Sequence, residues 1–276
     1  MPAALNLSNE TIQEIIHMYV EEKMVLTEIV KKTGISIFTL SKLLQKNHVK
    51  TRDQSDYRKY SLDEAFFEKL DTNNKCYILG FLYADGNISN DGLKVKLVLQ
   101  ERDKEILEKI KKEMNSGRPL AFMEESKRNH LGKQDQWKLE ISCKKMVKDL
   151  EQWGVIPNKT LKLKYPDFLS DDQHSHFLRG VMDGDGCIGC YQYPDRERTL
   201  VNICGTYDFC QGAKDIIESK LGIHCSLVPR GKICVLSISG RRQTTIFLNW
   251  VYKNADLYLA RKHEIYQNYF VQNEVA

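Results

Sequence analysis

Two segments of the chain, ILGFLYADG at 78–86 and LRGVMDGDG at 178–186, share one pattern of apolar and small residues and end in Asp-Gly. Each segment carries two small residues four positions apart. On a helix, residues with this spacing lie on one face, where small side chains let two backbones approach closely. The pattern therefore predicts two helices that pack against each other through their small residues, which are Gly80, Ala84, Gly180 and Gly184.

A second repeat follows in the same order along the chain. LEISCKKMVKDLEQW at 139–153 aligns with LSISGRRQTTIFLNW at 236–250 without a gap. Together the repeats predict two copies of an αββαββα unit, the first over 71–165 and the second over 166–276. Such a repeat is too long for a solenoid unit. We therefore expect an α+β fold with two halves related by a pseudo-twofold axis.

The predicted strands alternate between apolar and polar residues, as in a sheet with one face on the core. In LKVKLVLQ at 93–100, one side carries Val and Leu and the other carries mainly Lys and Gln. A polar, basic face suits contacts with DNA bases and phosphates, although an ordinary solvent-facing sheet would look similar. The sheet residues predicted to contact DNA are Lys94, Lys96, Gln100, Lys138, Arg198, Asn202, Arg230 and Lys232.

We predict a small all-α domain over residues 1–52 and a linker over the polar segment 53–70. Apolar residues at helical spacing indicate three short helices, of which the second covers about 26–32 and the third about 36–46. Ser8 or Asn9 is a suitable cap for the first helix. The side chains that we expect the third helix to bury are Ile37, Leu40 and Leu44.

The turn before the third helix, TGIS at 33–36, gives this domain a helix-turn-helix pattern. It resembles the helix-turn-helix domains of site-specific recombinases and small bacterial regulators. Residues 31–60 carry eight Lys or Arg against two acids, which suits a phosphate-facing surface or, alternatively, a solvated linker. A three-helix interaction module is the other interpretation. The predicted DNA contacts are Ser36, Thr39, Lys42 and Lys46.

The two Asp-Gly sequences place Asp85 and Asp185 at the ends of the paired helices. A helix C-terminus is already negative, and neighbouring carboxylates raise each other's proton affinity. A divalent cation would relieve this repulsion, and Mg²⁺ prefers one or two carboxylates together with phosphate oxygens. Mn²⁺ could replace it, with Ca²⁺ as a non-cleaving substitute. Gly86 and Gly186 are expected to end the two helices in the left-handed conformation. The alternative is that each Asp-Gly only caps a helix.

These two segments resemble the signature motifs of LAGLIDADG homing endonucleases, and GVIPNKT at 154–160 and YKNADLYLARKHEIY at 252–266 resemble segments that close each half in that family. The resemblance covers about 70–276. It implies a single-chain, monomeric enzyme whose two halves form a DNA-binding saddle and cut both strands of a long, asymmetric double-stranded site across the minor groove. The metal-binding acids would be Asp85 and Asp185, assisted by backbone carbonyls near Ala84 and Gly184.

Basic residues near the metal ions would polarise water or stabilise developing charge. Lys159 is the candidate in the first half, and Lys253 or Lys262 in the second, although the repeat does not align these lysines. The two motifs also differ at the residue before Ala84 and Gly184, which is Tyr83 in the first motif and Asp183 in the second. This upstream position is not the expected metal ligand.

Other features restrict the function further. The 276 residues contain no 18-residue apolar run and no signal-peptide pattern, and the eight cysteines are expected to be reduced thiols. We therefore expect an unsecreted protein of a bacterial or phage-host cytoplasm or of an organelle. A zinc site at Cys187 and Cys190 is disfavoured because residues i and i+3 of a strand face opposite sides. His174 and His176 are expected at the surface or near DNA phosphates.

The sequence favours a Mg²⁺-dependent, site-specific double-strand DNA endonuclease of a mobile element such as an intron. Two alternatives on the same fold remain open. One is a DNA-binding transcriptional regulator that does not cleave, and the other is an RNA-binding intron maturase. Retention of both Asp85 and Asp185 argues against the regulator.

Overall fold

The computed structural model describes residues 7–52, 59–124 and 134–271. The chain forms two compact units, 1–59 and 60–276. Part of the predicted linker, residues 53–58, lies outside the described residues.

The N-terminal unit contains the three predicted helices, α1 (Asn9–Val20), α2 (Leu26–Thr33) and α3 (Ile37–Lys46). The hydroxyls of Ser8 and Ser36 accept hydrogen bonds from the backbone N–H groups of Thr11 and Thr39 and thereby cap α1 and α3. Gly34 ends α2 with a φ of 69°, as the turn requires. The residues that form the core of this unit are Ile15, Met18, Tyr19, Ile29, Ile35, Leu40, Leu43 and Leu44.

The prediction that Ile37 of α3 is buried is wrong. Ile37 is 47% exposed, as is its neighbour Phe38 at 68%. Ile35, in the turn before α3, packs into the core of this unit instead, and Leu43 joins Leu40 and Leu44 on the buried face. The first turn of α3 therefore presents apolar side chains to solvent.

The second unit contains both predicted αββαββα halves. The first half consists of α4 (Asn73–Asp85), β1 (Asn87–Ile88), β2 (Lys94–Gln100), α5 (Lys104–Glu113), β3 (Ala121–Met123), β4 (Gln136–Ser142) and α6 (Lys144–Gln152). The second half consists of α7 (Gln173–Asp185), β5 (Gly186–Gln192), β6 (Glu197–Gly205), α8 (Tyr207–Leu221), β7 (Ser226–Arg230), β8 (Ile233–Ser239) and α9 (Arg241–Tyr252), followed by α10 (Ala260–Tyr266).

Each half builds one antiparallel four-stranded sheet, with strand order β1-β2-β4-β3 in the first and β5-β6-β8-β7 in the second. The alternation predicted for β2 is confirmed, because Val95, Leu97 and Leu99 are buried while the residues between them are partly exposed. The buried sheet faces and the helices form one continuous apolar core in this unit. The predicted α+β architecture is therefore confirmed.

The two helices α4 and α7 pack against each other through their small residues. A Cβ atom added to Gly80 would lie 2.0 Å from the carbonyl oxygen of Phe177, and one added to Gly180 would lie 2.0 Å from that of Tyr77. A Cβ atom on Gly184 would lie 2.3 Å from the Cβ atom of Ala84. Because no side chain fits in these gaps, the backbones are in direct contact.

The expectation of left-handed glycines at the helix ends is wrong. Gly86 has a φ of −68° and Gly186 a φ of −111°, and both are extended. The chain passes from each helix almost directly into the first strand of its half, which leaves no turn that would require positive φ. Glycine is needed here for space, since an added Cβ atom would lie 2.4 Å from the carbonyl oxygen of Leu82 or 2.7 Å from that of Met182.

Candidate functional site

The ends of α4 and α7 bring two carboxylates together. Asp85 and Asp185 are the last residues of these helices. The Oδ2 atom of Asp85 lies 3.1 Å from the position of a Cβ atom built on Gly184, the residue before Asp185. Because the helices touch at Ala84 and Gly184, the two acids that follow are neighbours.

The two carboxylates are shifted toward the protonated form. Burial, and after it the charge of Asp185, raises the pKa of Asp85 to about 6, while Lys159 and Lys262 act against this rise. Partial removal of its carboxylate from water by the surrounding protein also raises the pKa of Asp185, and the same two lysines oppose that rise. The residue as a whole remains exposed to solvent. Two acids and two cations therefore act on one another at this point.

Lys159 approaches the first helix end from the segment that closes the first half. It begins a short 3₁₀ turn, Lys159–Leu161, after Asn158 with a φ of 54°. Its side chain is buried, and its Nζ atom donates a hydrogen bond to the carbonyl oxygen of Ala84 at 2.7 Å. Burial lowers the pKa of Lys159, and the charges of Asp185 and Asp85 oppose that shift.

Lys262 occupies the corresponding place in the second half. It lies on α10 with only 2% of its surface exposed. Its Nζ atom donates to the carbonyl oxygens of Met182 at 2.6 Å, Asp183 at 2.8 Å and Gly186 at 2.6 Å. An ammonium group here donates to carbonyls at the end of α7 and the start of β5 and offsets the negative end of the helix dipole; the carbonyl of Met182 also accepts from the backbone N–H of Gly186.

Lys253 does not reach this site. It follows α9 as an exposed residue, so the structure assigns its predicted place to Lys262. The reason is the connection after the aligned tryptophans: Trp153 precedes Lys159 by six positions, whereas Trp250 precedes Lys262 by twelve. The extra segment in the second half conceals the correspondence in a gapless alignment.

The residues upstream of the acids hold the closing segments in place. Asp183 is buried and accepts hydrogen bonds from the hydroxyl of Tyr77 at 2.9 Å and the backbone N–H of Leu259 at 2.8 Å, just before α10. Tyr83, at the equivalent position, donates to the carbonyl oxygen of Trp153 at 2.6 Å. Each half thus ties its motif helix to the segment that carries its lysine. The sequence shows that Tyr83 and Asp183 differ, but their contacts are made with distant segments and no local pattern predicts them.

The expectation of exposed histidines before the second motif is wrong. His174 and His176 are 6% and 5% exposed. His174 forms a hydrogen bond with the Tyr165 hydroxyl, and His176 with the guanidinium of the fully buried Arg179, each at 2.9 Å. Burial lowers the pKa of His176 to about 4, with the charge of Arg179 acting in the same direction. Because α7 is enclosed by other elements around most of its circumference, polar residues on it become interior residues.

The chemistry of the carboxylates fits a hard divalent cation. Within 7–52, 59–124 and 134–271, no three His, Cys, Asp or Glu side chains form a ready-made metal cage. Two carboxylates completed by phosphate oxygens of a substrate are nevertheless a donor set that Mg²⁺ accepts. The carbonyl of Ala84 is a poorer candidate ligand, because it already accepts a hydrogen bond from the Lys159 ammonium group.

The residues predicted to contact DNA from the second unit lie in the strands of the two sheets or, for Lys232, in the turn between β7 and β8. Four of them, Lys94, Lys96, Gln100 and Lys138, share the face of the first sheet that points away from the core. In the second sheet, Asn202 is partly exposed, and Arg198, Arg230 and Lys232 are exposed near strand ends.

The predicted contacts of the N-terminal unit all lie at the start of α3 or along its exposed side. Two of them are hydroxyl residues at the start of the helix, and two are exposed lysines. The hydroxyl of Ser36 is engaged as the cap of α3, and Thr39 lies in its first turn. Lys42 and Lys46 are exposed, and the Nζ atom of Lys42 lies 4.5 Å from the centre of the Phe38 ring.

Comparison with solved structures identifies the fold of the second unit. The homing endonuclease I-WcaI bound to its DNA recognition sequence superposes with a TM-score of 0.52 at 15% identity, covering 79% of this chain and 96% of that one. The chain has the LAGLIDADG fold.

Two of the further similar structures superpose at lower scores. They are the I-LtrWI homing endonuclease bound to target DNA (TM-score 0.49, 14% identity, 74% of this chain and 91% of that one) and full-length DUF199/WhiA from Thermatoga maritima (0.47, 14%, 77% and 65%). No protein-family model matches the chain, and no curated protein sequence does. Among the described residues, no helix combines the length and apolar character needed to span a bilayer.

Proposed function

We propose that this protein is a divalent-metal-dependent, site-specific double-strand DNA endonuclease. The observation that carries the proposal is the convergence of Asp85 and Asp185 at the ends of two helices in backbone contact, with the buried ammonium groups of Lys159 and Lys262 beside them. Paired acids at two helix ends are electrostatically costly for a fold. A cation shared with a DNA backbone is the partner that makes this arrangement useful.

A Mg²⁺ ion held by Asp85 and Asp185 would supply Lewis-acid stabilisation and an activated water for phosphodiester hydrolysis. The chain itself must keep both carboxylates ionised and fixed. The helix contact at Ala84 and Gly184 sets their separation, and both lysines oppose the rise in the pKa of each acid. Because one acid and one lysine come from each half, we assign each half to one DNA strand.

The polar sheet faces and α3 are the surfaces that we assign to DNA. Lysines of the first sheet and arginines near strand ends of the second would contact phosphates, and amides would contact base edges. Since the halves carry different side chains, the target would be a long, asymmetric site bound by one monomer. The N-terminal unit would act as a helix-turn-helix that lengthens the site, with Lys42 and Lys46 near phosphates.

The test begins by selecting bound duplexes from a randomised library with the full chain in Ca²⁺. Selected duplexes are then incubated with Mg²⁺, with Mn²⁺ and with Ca²⁺. We expect double-strand cleavage in Mg²⁺ or Mn²⁺ only. Asp85→Asn and Asp185→Asn should each lose at least about 10³-fold in rate while still binding the duplex. Asp171→Asn, which removes a highly exposed carboxylate paired with Lys220, is the matched control and should cleave normally.

Two other outcomes would replace the proposal. Selection of a defined duplex without cleavage in Mg²⁺ or Mn²⁺ would indicate a DNA-binding regulator on this fold. Preferential binding of a structured intron RNA over every duplex would indicate a maturase. Cleavage that survives both Asp85→Asn and Asp185→Asn would exclude this site as the catalytic centre.

A further inference from the structure

A carboxylate, that of Glu140, lies in the middle of the basic face of the first sheet. Glu140 is on β4 directly opposite Lys96 on β2, and Lys96 in turn pairs with Asn87 on β1. Asn87 follows Asp85 by two residues, so this row of side chains begins beside the candidate active site. The side chain of Glu140 is only 11% exposed, which is low for an acid on a polar sheet face.

Four cations of the described chain surround this carboxylate within 4 Å. Arg118 and Lys138 donate hydrogen bonds to it at 3.1 and 3.2 Å, and the Nζ atoms of Lys96 and Lys94 lie 3.8 and 3.9 Å away. Although burial opposes ionisation, the surrounding cations, Lys138 foremost, lower the pKa of Glu140. We call these five residues the Glu140 cluster. It has four positive charges and one negative charge, and it remains a net cationic patch.

The Glu140 cluster holds its lysines differently from a plain basic patch. A carboxylate offers two oxygens, and the two lysines beyond 3.5 Å are attracted to it without a direct hydrogen bond. A DNA phosphate near any of the four cations would compete with Glu140 for them and be repelled by its charge. The second sheet has no such carboxylate at the matching place, where β8 carries Ser237 opposite Asn202.

We propose that Glu140 is a specificity-determining residue that prevents the four surrounding cations from binding phosphates of DNA outside the target site. The proposal rests on the DNA-binding function proposed above. Non-specific binding is dominated by phosphate contacts, so a fixed anion among the cations penalises it. At the target, hydrogen-bond donors such as the cytosine amino group can face the carboxylate, so the penalty is reduced there.

The experiment measures binding of full-length wild type and Glu140→Gln to a random-sequence duplex and to a selected duplex by fluorescence anisotropy, across a salt series. We expect Glu140→Gln to bind the random duplex at least about 5-fold tighter at about 100 mM salt, with a log–log salt slope steeper by about 1. Its affinity for the selected duplex should change less, so that discrimination falls.

Three controls separate this role from net charge and from folding. Glu197→Gln makes the same charge change at an exposed ion pair with Arg241 and should stay within about 2-fold of wild type. Adding Lys138→Gln to Glu140→Gln should return the affinity for random DNA toward wild type. Glu140→Ser introduces the side chain found at position 237 and should repeat the effect, and thermal melting confirms that each variant is folded.

The outcomes are distinguishable. Unchanged affinity and slope in folded Glu140→Gln, weaker binding to random DNA, or an equal gain in Glu197→Gln would each overturn the role of Glu140 while leaving DNA binding intact. If the wild type binds no duplex even at low salt, the proposed function fails, and this inference fails with it.

Discussion

The row of side chains that follows Asp85 across the first sheet differs from the row that follows Asp185 across the second. In the first half it runs Asn87, Lys96 and Glu140, and in the second Cys187, Asn202 and Ser237. The backbone pairing is the same in both. The first row therefore carries a lysine and a glutamate where the second carries Asn202 and Ser237, which are uncharged.

The helix ends of the two halves are much more alike. Both motif helices end in Asp, both use small residues for the mutual contact, and both have a buried lysine on their last carbonyls. The difference lies in how strongly the lysine is held, with one carbonyl for Lys159 and three for Lys262. The helix interface with its acids and lysines is therefore common to both halves, whereas the sheet faces differ in charge; under the proposed function, the two faces would contact two different half-sites.

The largest expected effect tests the similarity of the halves. Gly80→Ala and Gly180→Ala should each destabilise the second unit by at least about 3 kcal/mol, because the new Cβ atom would collide with backbone. Urea unfolding of both variants measures this. Gly92→Ala, in open space with a φ of 65°, is the matched control and should cost about 1 kcal/mol. A mild effect at only one of the two helix glycines would break the predicted symmetry.

The next effect tests the difference between the lysines. Lys262→Met removes a donor from three carbonyls, but the carbonyl of Met182 keeps its hydrogen bond from the backbone N–H of Gly186, so two lose their side-chain donor outright. This variant should cost about 2 kcal/mol, whereas Lys159→Met removes the donor to one carbonyl and should cost about 1 kcal/mol. Chemical denaturation again gives the values, with the exposed Lys253→Met as the control. Equal losses at both lysines would show that the number of carbonyl contacts is not what matters.

The carboxylates give an effect that depends on pH. The pKa of Asp85 in the folded chain is about 6, above its value near 3.9 in an unfolded chain. The folded state therefore binds more protons, and the free energy of unfolding falls as pH rises from about 4 through 6. Asp85→Asn removes this penalty and should stabilise the metal-free protein by about 1 kcal/mol at pH 7.5, with no gain at pH 4.

Melting curves of wild type and Asp85→Asn across this pH range provide the measurement. Asp185→Asn should change stability in the same direction, since its pKa is also raised. If either variant were destabilised at pH 7.5, the two acids would be stabilising partners of the lysines rather than a strained pair. Saturating Mg²⁺ with DNA should remove the difference by favouring the ionised acids.

The smallest effect concerns the two rows of the sheets and rests on the proposed DNA binding. Lys96→Gln should reduce the salt slope of binding to the selected duplex by about 0.9, as expected for one lost phosphate contact. Asn202→Ala, at the matching position of the second sheet, should leave the slope unchanged and reduce the preference for the selected duplex by about 1 kcal/mol. A change of slope in Asn202→Ala would remove the distinction between the two faces.

Much of the fold could be predicted because the pattern of apolar residues constrains it directly. The alternation in β2 requires a one-faced sheet, and the small residues at i and i+4 require a close helix contact. The failures have a common cause. Ile37, His174 and His176 were misplaced because burial at a helix end or on an enclosed helix depends on neighbours from distant segments.

The candidate site was only partly predictable for the same reason. The motifs identify Asp85 and Asp185, because their position after the small residues is local. Lys262 was identified only as an alternative to Lys253, since a longer connection precedes it. The cations around Glu140 cannot be read from any one-dimensional pattern, because they come from β2, β4 and the loop before β3.

The sequence by itself determined the duplication, the αββαββα order and the two acids, since these follow from periodicity and spacing along one chain. Only the tertiary structure decided which lysine reaches each helix end, where the histidines lie and what surrounds Glu140. The physical reason is that burial and electrostatic interaction depend on distance in space, and the segments concerned are brought together by the packing of α4 against α7 and by strand pairing.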